Sequence, residues 1–460
     1  MIGIAISTRN RYDTFRKSYD QWKRYLPKGA KLVVVDDAST ERVPEADYRF
    51  PYNAGIAATK NKCIQLLIDA GCDEIFLSDD DCYPIHDNWY RPYLESKVKH
   101  MSMTFISTVK GSPSGSMPMG MVDGCVAYNK PCGCLLYINK SVVEKIGGFD
   151  VDYPLWGMEH VDFSQRAFNA GLIPHPFLDV PNSTVFFHSM DYHHEASATV
   201  RRDVKNQLVN HNRARFEQRK ESKEYMTYRS AKDGVVLASY FNSIPDGQRG
   251  HHWSPDGDDL YPLMESCERS GCKLVIFHDC LKVKDDGMFI KVEPQREYSP
   301  NVYRWVVYNG YLYENCNENV FMVDSTDVEV LRNPFQALNP NRLYVGDESA
   351  MKVDNSWMRN TQEPLFSIPD YRKVIAANSD KTLVNCGIVG GSYKVAMEYL
   401  NYRAKYHAEY TQGVTKSTDM AIFNYIVWKH FAERITHGIK VNTGFKRFEP
   451  DNGISLFRHK

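Results

Sequence analysis

The apolar run Glu74-Ile75-Phe76-Leu77-Ser78 leads directly into Asp79-Asp80-Asp81. Carboxylates at the end of a strand repel one another unless a cation sits among them. Their oxygens are hard ligands for Mg²⁺ or Mn²⁺, and such an ion can in turn hold a diphosphate. In open α/β sheets ligands bind beyond the carboxyl ends of the strands, so the segment predicts a metal–diphosphate site. Farther along, His188, His193 and His194 fall within seven positions. Imidazole suits Mn²⁺ better than Mg²⁺, and at least one of the three is expected to be a ligand. A second apolar run, Asn319 to Val323, leads into Asp324-Ser325-Thr326-Asp327.

These side chains need elements to position them. The chain opens with a strand, Ile2 to Ser7, followed by Thr8-Arg9-Asn10-Arg11 and a helix-like stretch, Thr14 to Leu26. A second strand, Lys31 to Val35, ends in Asp36-Asp37-Ala38-Ser39. The sequence Asn53-Ala54-Gly55 precedes a helix running through Asn61 to Ile68, and the strand ending at Asp79 follows. Strands alternating with helices predict a doubly wound α/β sheet.

This order resembles the family 2 type of GT-A glycosyltransferase: Thr-Arg-Asn-Arg after the first strand, Val-Val-Asp-Asp-x-Ser, Asn-x-Gly before a helix, then Asp-x-Asp. The resemblance implies that Asp79 and Asp81 hold the metal and that Asp36 or Asp37 reads the nucleotide base. It implies donor contacts from Thr8, Arg9, Asn53, Gly55, Asn61 and Asp80. Downstream, Trp156-Gly157-Met158-Glu159-His160-Val161-Asp162 is similar to the Trp-Gly-Gly-Glu-Asp segment of related galactosyltransferases, with Met158 in place of a Gly and His160 where Asp is common. By that likeness Glu159 binds the acceptor or is the base, with Asp162 the rival; Asp162 can instead cap or pair on a helix from Phe163 to Ala170. A His-His-x-x-Ser element in the family implies that His193 or His194, or else His188, completes the metal shell.

The stretch Val200 to Lys223 is rich in Arg and Lys. It reads either as a contact for diphosphate or a polyanion such as DNA, or as a solvated helix closing the first domain. With the boundary near residue 225, the domains are 1–224 and 225–460. The second restarts the pattern with strands at Val235–Phe241 and Lys273–Asp279. Asp324-Ser325-Thr326-Asp327-Val328-Glu329-Val330-Leu331-Arg332-Asn333-Pro334-Phe335 resembles the Asp-x-Asp-Val-x-x-Leu-Arg-x-Pro-Phe of family 8 and 77 transferases. Asn385-Cys386-Gly387 and Asp419 to Asn424 resemble their Asn-x-Gly strand and Asp-x-x-x-x-Asn helix. The resemblance implies Asp324 and Asp327 as metal ligands, Asn385 and Gly387 at the donor and Asp419 in catalysis. Ser325 stands where the first metal Asp belongs on the strictest alignment. His437 is either a late ligand or a surface residue. The expected architecture is two GT-A domains in tandem, Rossmann-like with mostly parallel sheets.

Composition sets limits. The 460 residues are 43% hydrophobic and 25% charged with net charge −1, so no global field favours nucleic acid or an anionic membrane. The 11 cysteines show no convincing zinc spacing; Cys132 and Cys134 read as buried thiols in a strand, and a reducing, cytoplasmic setting is expected. No signal peptide is expected, because Met1 leads into the first strand, and no apolar run is long enough to span a bilayer. The acidic run Asp256 to Asp259 reads as a loop, and Lys110 to Met121 as a lid that excludes water from a hydrolysable donor. The expected activity moves a sugar from a nucleotide donor, a UDP-sugar by resemblance, with Mn²⁺ or Mg²⁺, to a hydroxyl on a glycan, protein or modified DNA. Two active halves would give two transfers, the first inverting and the second retaining. One rival is a sugar-nucleotide pyrophosphorylase, which lacks support because Thr8-Arg9-Asn10-Arg11 is not the Gly-rich loop it needs. Another is a carbohydrate- or nucleic-acid-binding module in one half, the second above all.

Overall fold

A computed structural model describes residues 1–105, 116–153, 155, 157–195, 202–229, 234–243, 245, 252–283, 287–293, 295, 298–316, 319–411, 418–447 and 449–460. The chain divides into two compact units, Met1–Ser230 and Ala231–Lys460.

In the first unit β1 (Ile2–Thr8), α1 (Tyr12–Arg24), β2 (Lys31–Asp36), β3 (Tyr48–Arg49), α2 (Ile56–Asp69) and β4 (Glu74–Asp79) come first. After them run β5 (Cys82–Pro84), α3 (Arg91–Glu95), β6 (His100–Ser102), β7 (Pro118–Val122), β8 (Cys125–Tyr128) and β9 (Leu135–Asn139). The unit ends with α4 (Lys140–Ile146), α5 (Glu159–Asn169), β10 (Leu178–Asp179), β11 (Phe187–Ser189) and α6 (Arg202–Arg219). The main sheet has the order β3-β2-β1-β4-β9-β6. Its first four strands are parallel, and β9 is antiparallel to both neighbours. The chain thus leaves β1 toward β2 and β3, then returns to the other side of β1 as β4. That reversal opens a crevice at the carboxyl ends of β1 and β4. The strands β1, β2 and β4 are near-continuous apolar runs because both faces of this part of the sheet are covered.

The second unit contains β12 (Gly234–Tyr240), α7 (Tyr261–Arg269), β13 (Lys273–His278), β14 (Phe289–Lys291), α8 (Pro300–Glu314), β15 (Asn319–Val323) and β16 (Val328–Val330). It continues with β17 (Leu343–Lys352), α9 (Ser356–Gln362), α10 (Pro369–Ala377), β18 (Thr382–Gly391), α11 (Tyr393–Tyr410), α12 (Asp419–Ile426), β19 (Ile435–Thr436) and β20 (Phe457–His459). Its sheet order is β14-β13-β12-β15-β18-β17-β19. The first strand is again central, the second and third lie to one side, and the fourth returns to the other. Both units are α/β with mixed, mostly parallel sheets, the class expected. Among the described residues no helix is long and apolar enough to cross a membrane.

Several local expectations need correction. Cys132 and Cys134 precede β9 rather than lying in it, and both are half-buried. Helix α5 begins at Glu159, not Phe163, which places Glu159 and Asp162 in its first turn. The Asp256–Asp259 run ends in a 3₁₀ turn, Asp258–Leu260, leading into α7. Of the expected lid, residues 110–115 lie outside the described residues, and the remainder leads into β7. Arg201 also lies outside them, as does Trp156.

The basic stretch is neither a polyanion contact nor a freely solvated helix where its last turns are concerned. Arg215 pairs with Asp150 at 2.7 Å and Asp152 at 3.0 Å, and Arg219 meets Asp150 at 3.4 Å and Glu224 at 2.9 Å. Asp150 and Asp152 have no exposed side-chain surface, so these cations are their internal counter-charges. Breaking a buried pair by removing one partner costs about 3–5 kcal/mol. Arg215→Met should therefore lower the stability of the first unit by about that much in urea unfolding. Arg213→Met, at an exposed position of the same helix, should change it by less than about 0.5 kcal/mol.

Candidate active site

In the first unit the crevice between β1 and β4 collects the acidic triplet. Thr8, the last residue of β1, donates from Oγ1 to Asp80 Oδ2 at 2.7 Å. Arg11, in the turn after β1, pairs with Asp80 and reaches Asp81 Oδ2 at 3.1 Å. Just past the triplet, the Cys82 carbonyl accepts from Ser18 Oγ at 3.0 Å, Trp22 Nε1 at 2.9 Å and Ser78 Oγ at 2.9 Å. Helix α1, which buries Phe15, Ser18 and Trp22 on one stripe, thereby fixes where the acidic loop stands.

Across the crevice, Gly157 (φ +91°) and Met158 (φ +74°) turn the chain sharply into α5 and deliver Glu159 to its first position. Met158 occupies the left-handed region that favours glycine, which gives a physical reason for the Gly expected there. Lys60 of α2 lies between the two sides with 2% of its surface exposed. Its Nζ is 3.3 Å from Glu159 Oε1, 3.3 Å from the Gly133 carbonyl and 3.6 Å from Asp79 Oδ1. His160 Nδ1 is 3.2 Å from the same Glu159 oxygen. Glu159 Oε2 and Asp79 Oδ1 are buried without a hydrogen-bond partner among the described residues. Burial works against the charge on Glu159, but His160 and Lys60 outweigh it and hold the carboxyl well below the usual range. Asp162 is committed elsewhere: its oxygens take Arg166 Nε at 2.7 Å and Tyr153 OH at 3.2 Å. Of the two rival carboxylates, Glu159 faces the crevice and Asp162 holds α5 in place.

The other expected donor contacts divide in the same way. Asp37 accepts from the Ala54 and Gly55 amides at 2.6 and 3.1 Å and so shapes the Asn53-Ala54-Gly55 turn. Gly55 has φ +87°, and a Cβ there would stand 3.1 Å from the Leu155 amide nitrogen. Asp36 accepts from Ser39 N and Oγ at 3.0 and 2.6 Å, and Arg9 donates to the Asp37 carbonyl at 2.8 Å. Asn61 is engaged at both ends of its amide by the Phe149 backbone, at 2.9 and 2.7 Å. Asn53 is half-buried at the rim of the turn.

Strand β11 pairs with β5, His188 opposite Tyr83 and Ser189 opposite Cys82, and Met190 N donates to the Asp81 carbonyl at 2.8 Å. The histidine segment therefore lies alongside the acidic loop. His188 and His193 stack in parallel at 4.3 Å; His188 Nε2 is 3.2 Å from Glu195 and His193 Nδ1 is 2.6 Å from the Ser189 carbonyl. His194 is exposed, with φ +59°.

Charge balance tests the fit of a cation. Asp79, Asp80, Asp81 and Glu159 bring four negative charges against two from the permanent cations Arg11 and Lys60, an excess of two with the carboxyls ionised and His160 neutral. Among the described residues no three His, Cys, Asp or Glu side chains already surround one point as ligands. The residues thus fit a divalent cation that shares its shell with phosphate oxygens, not a closed protein cage.

In the second unit a cavity of about 180 Å³ opens at the carboxyl ends of β12 and β15, lined by Asp324, Asp327, Arg304, Asn385, Asp419 and His459 among others. Ser325 turns its hydroxyl to the Ser239 carbonyl at 2.8 Å. Asp324 pairs with Arg304, and Thr326 Oγ1 donates to Asp327 at 3.0 Å. Asp419 is fully engaged: Arg403 and Trp305 Nε1 (3.1 Å) on one oxygen, Arg304 (3.2 Å) and Cys386 (3.1 Å) on the other. Asn385 pairs with Glu348 and accepts from Gly387 N at 2.6 Å. A Cβ on Gly387 would stand 2.6 Å from Asp324 Oδ2 and 2.7 Å from His459 Cε1, so only a glycine lets these two side chains close on the strand. His437 pairs with Asp347 at 2.8 Å and does not line the cavity. His459 does, because β20 pairs with β16 and sets it opposite Val328. Burial pushes this imidazole down to about 4, so it is neutral near pH 7, the form that binds metals.

Sequence reasoning missed Lys60, Arg304 and His459. Lys60 left one signal, since it shares a helical stripe with Ala57, Ile64 and Leu67, all buried. His459 left none, because its place depends on a pairing between distant strands.

Residues 122–189 match the family model described as the N-terminal domain of galactosyltransferase; they run from the end of β7 through Glu159 to Ser189 at the end of β11. An uncharacterized glycosyltransferase of Acanthamoeba polyphaga mimivirus is 28% identical over 208 residues, 40% of this chain and 78% of that protein. Similar solved structures include a mannosyltransferase from Pyrobaculum calidifontis in complex with GDP-mannose and Mn²⁺, 17% identical with a TM-score of 0.30, covering 37% of this chain and 53% of that one. This chain thus spans about half the length of that enzyme. A Drosophila β-1,4-galactosyltransferase 7 mutant in complex with manganese, UDP-Gal and xylobiose is 18% identical with a TM-score of 0.28, covering 45% and 78%.

Burial raises Asp80 to about 6, partly offset by Arg11, and burial followed by the Asp79 charge raises Asp81 to about 6. Unfolded, both carboxyls titrate near about 3.9. The metal-free folded unit therefore binds protons first as pH falls, and ionising these groups costs it stability as pH rises through about 4 to 6. A divalent cation must displace those protons. Mn²⁺ binding measured by calorimetry should be about tenfold weaker at pH 5 than at pH 7 for each carboxyl that must ionise, and level above pH 7.

Proposed function

We propose that this glycosyltransferase uses its first unit to move a sugar from a nucleotide-diphosphate donor, a UDP-sugar in the first instance, to an acceptor hydroxyl. The observation that carries the reading is the acidic triplet at the β1–β4 crevice, facing Glu159 across one buried lysine. The galactosyltransferase match over residues 122–189 supports it, because that segment contains Glu159. Asp79 and Asp81, flanked by His188 and His193, would hold Mn²⁺ or Mg²⁺, which neutralises charge on the departing diphosphate. Thr8 and Arg11 orient Asp80 and Asp81 toward that site. Arg9, Asn53 and Gly55 line the nucleotide side. Glu159, with Oε2 unpartnered, takes the proton of the acceptor hydroxyl as it attacks. Attack opposite the leaving group inverts the anomeric centre. The acceptor is a glycan, a protein or modified DNA. The cysteines are all unpaired, which suits a reducing compartment such as the cytosol.

The second unit we assign as a second, retaining transferase domain, with Asp324, Asp327 and His459 as its metal-facing residues and Asn385, Gly387 and Asp419 shaping the donor site. One observation favours a non-catalytic binding role there: Arg304 already occupies Asp324, and the Ser325 hydroxyl is spent on the Ser239 carbonyl.

Nucleotide release from UDP-, GDP- and CMP-sugars with Mn²⁺ separates these readings. Release from one donor, lost in Asp81→Ala and kept in Asp327→Ala, is expected of the first unit. A second donor whose release is lost in Asp327→Ala establishes the second transferase. Retention of all release in Asp81→Ala would overturn the first-unit assignment. Glu159→Gln should lower transfer about 10²–10⁴-fold while donor binding by calorimetry persists.

A further inference from the structure

We infer that Lys60 is a positioning residue that couples cation binding at Asp79 to the freedom of Glu159, by acting as an internal stand-in for the cation. The inference rests on the proposed role of the first-unit site. It is carried by geometry. The ammonium group donates to Glu159 Oε1 at 3.3 Å and to the Gly133 carbonyl at 3.3 Å, and forms an ion pair with Asp79 Oδ1 at 3.6 Å, beyond hydrogen-bond reach. It is 2% exposed, so water does not take its place. Its stem runs past the Phe149 ring, with Nζ 5.8 Å from the centroid. Phe149 is in turn held to α2 by Asn61, one residue along the helix. The lysine is thereby fixed from both sides.

Two consequences follow from that position. The first concerns Glu159. Lys60 and His160 both hold Oε1, which leaves Oε2 as the oxygen without a partner and presents it in one orientation. The second concerns Asp79. A monovalent ammonium at 3.6 Å partly balances this carboxylate when no divalent ion is present, and opposes a divalent ion that approaches it. When such an ion takes Asp79, Lys60 is left to Glu159 and Gly133. Removing the ammonium should therefore tighten cation binding while slowing transfer. A merely structural lysine would move both in the unfavourable direction, together with the melting temperature.

Calorimetric titration with Mn²⁺ alone, beside steady-state transfer kinetics, tests this on the full chain. In Lys60→Met, Mn²⁺ is expected to bind about tenfold or more tighter than in the wild type, with kcat down about 10²-fold and donor KM changed less than about threefold. Lys60→Arg keeps the charge and should keep Mn²⁺ affinity within about threefold of wild type, restoring part of kcat. Weaker or unchanged Mn²⁺ binding in a folded Lys60→Met overturns the inference. Should Lys60→Met not fold, Glu159→Gln decides: it leaves Lys60 to Asp79, so Mn²⁺ binding should weaken about tenfold, and unchanged binding overturns the coupling. A wild type that binds Mn²⁺ but transfers no sugar would sink the proposed function while leaving the calorimetric prediction standing.

Discussion

Charge crowded at the carboxyl end of a parallel sheet must be balanced, and most of the first unit is arranged around that requirement. Three consecutive aspartates stand at and just past the end of β4, and Glu159 faces them from the start of α5. Arg11 comes from the turn after β1 and Lys60 from the buried stripe of α2. Each cation is costly to bury alone and is held because a carboxylate stands within reach. Three donors converge on the Cys82 carbonyl, so α1 and β4 set the loop's position. The loop's own charges then need not be fully satisfied by protein.

Local chemistry was legible in the sequence where it lies at the end of an apolar run. The strands ending at Thr8, Asp36, Asp79 and Val323 are readable because a buried parallel strand is a short apolar run that stops at the first polar residue. The division of labour among carboxylates was not readable. Asp37 shapes the Asn53–Gly55 turn and Asp162 anchors Arg166, yet in sequence each stands beside a residue, Asp36 or Glu159, of the same chemistry. Which of a pair turns inward depends on helix phase and loop closure. Two residues of the basic stretch escaped for a related reason: Arg215 and Arg219 look like part of a solvated charge run until Asp150, more than sixty residues earlier, is brought against them, whereas Arg213, Lys220 and Lys223 are exposed.

The second unit repeats the strand order and meets the requirement differently. Its cations are arginines, Arg304 and Arg403, and they converge on Asp419, with Arg304 also taking Asp324. Guanidinium groups suit this place because their fork can join two carboxylates at once. The histidine beside the acidic residues comes from the last strand through the β16–β20 ladder. No spacing rule within the Asp324–Asp327 motif announces it. Ser325, which breaks the expected pattern, has found a structural use in a bond to the end of β12.

These two solutions differ in what they leave for a ligand. Around the second cavity Asp324, Asp327, Glu348 and Asp419 are met by Arg304, Arg403 and Lys446, four negative charges against three positive when all are ionised. The first crevice has four against two. A divalent ion would neutralise the first and overshoot the second by one charge. The first crevice therefore has the larger negative excess for a divalent ion to offset, and the second the smaller. The arginine that fills Asp324 is then the equivalent, in the second unit, of the lysine that leans on Asp79 in the first. Each is an internal cation set against an acidic residue at the end of a central strand, held by the fold rather than supplied by a ligand.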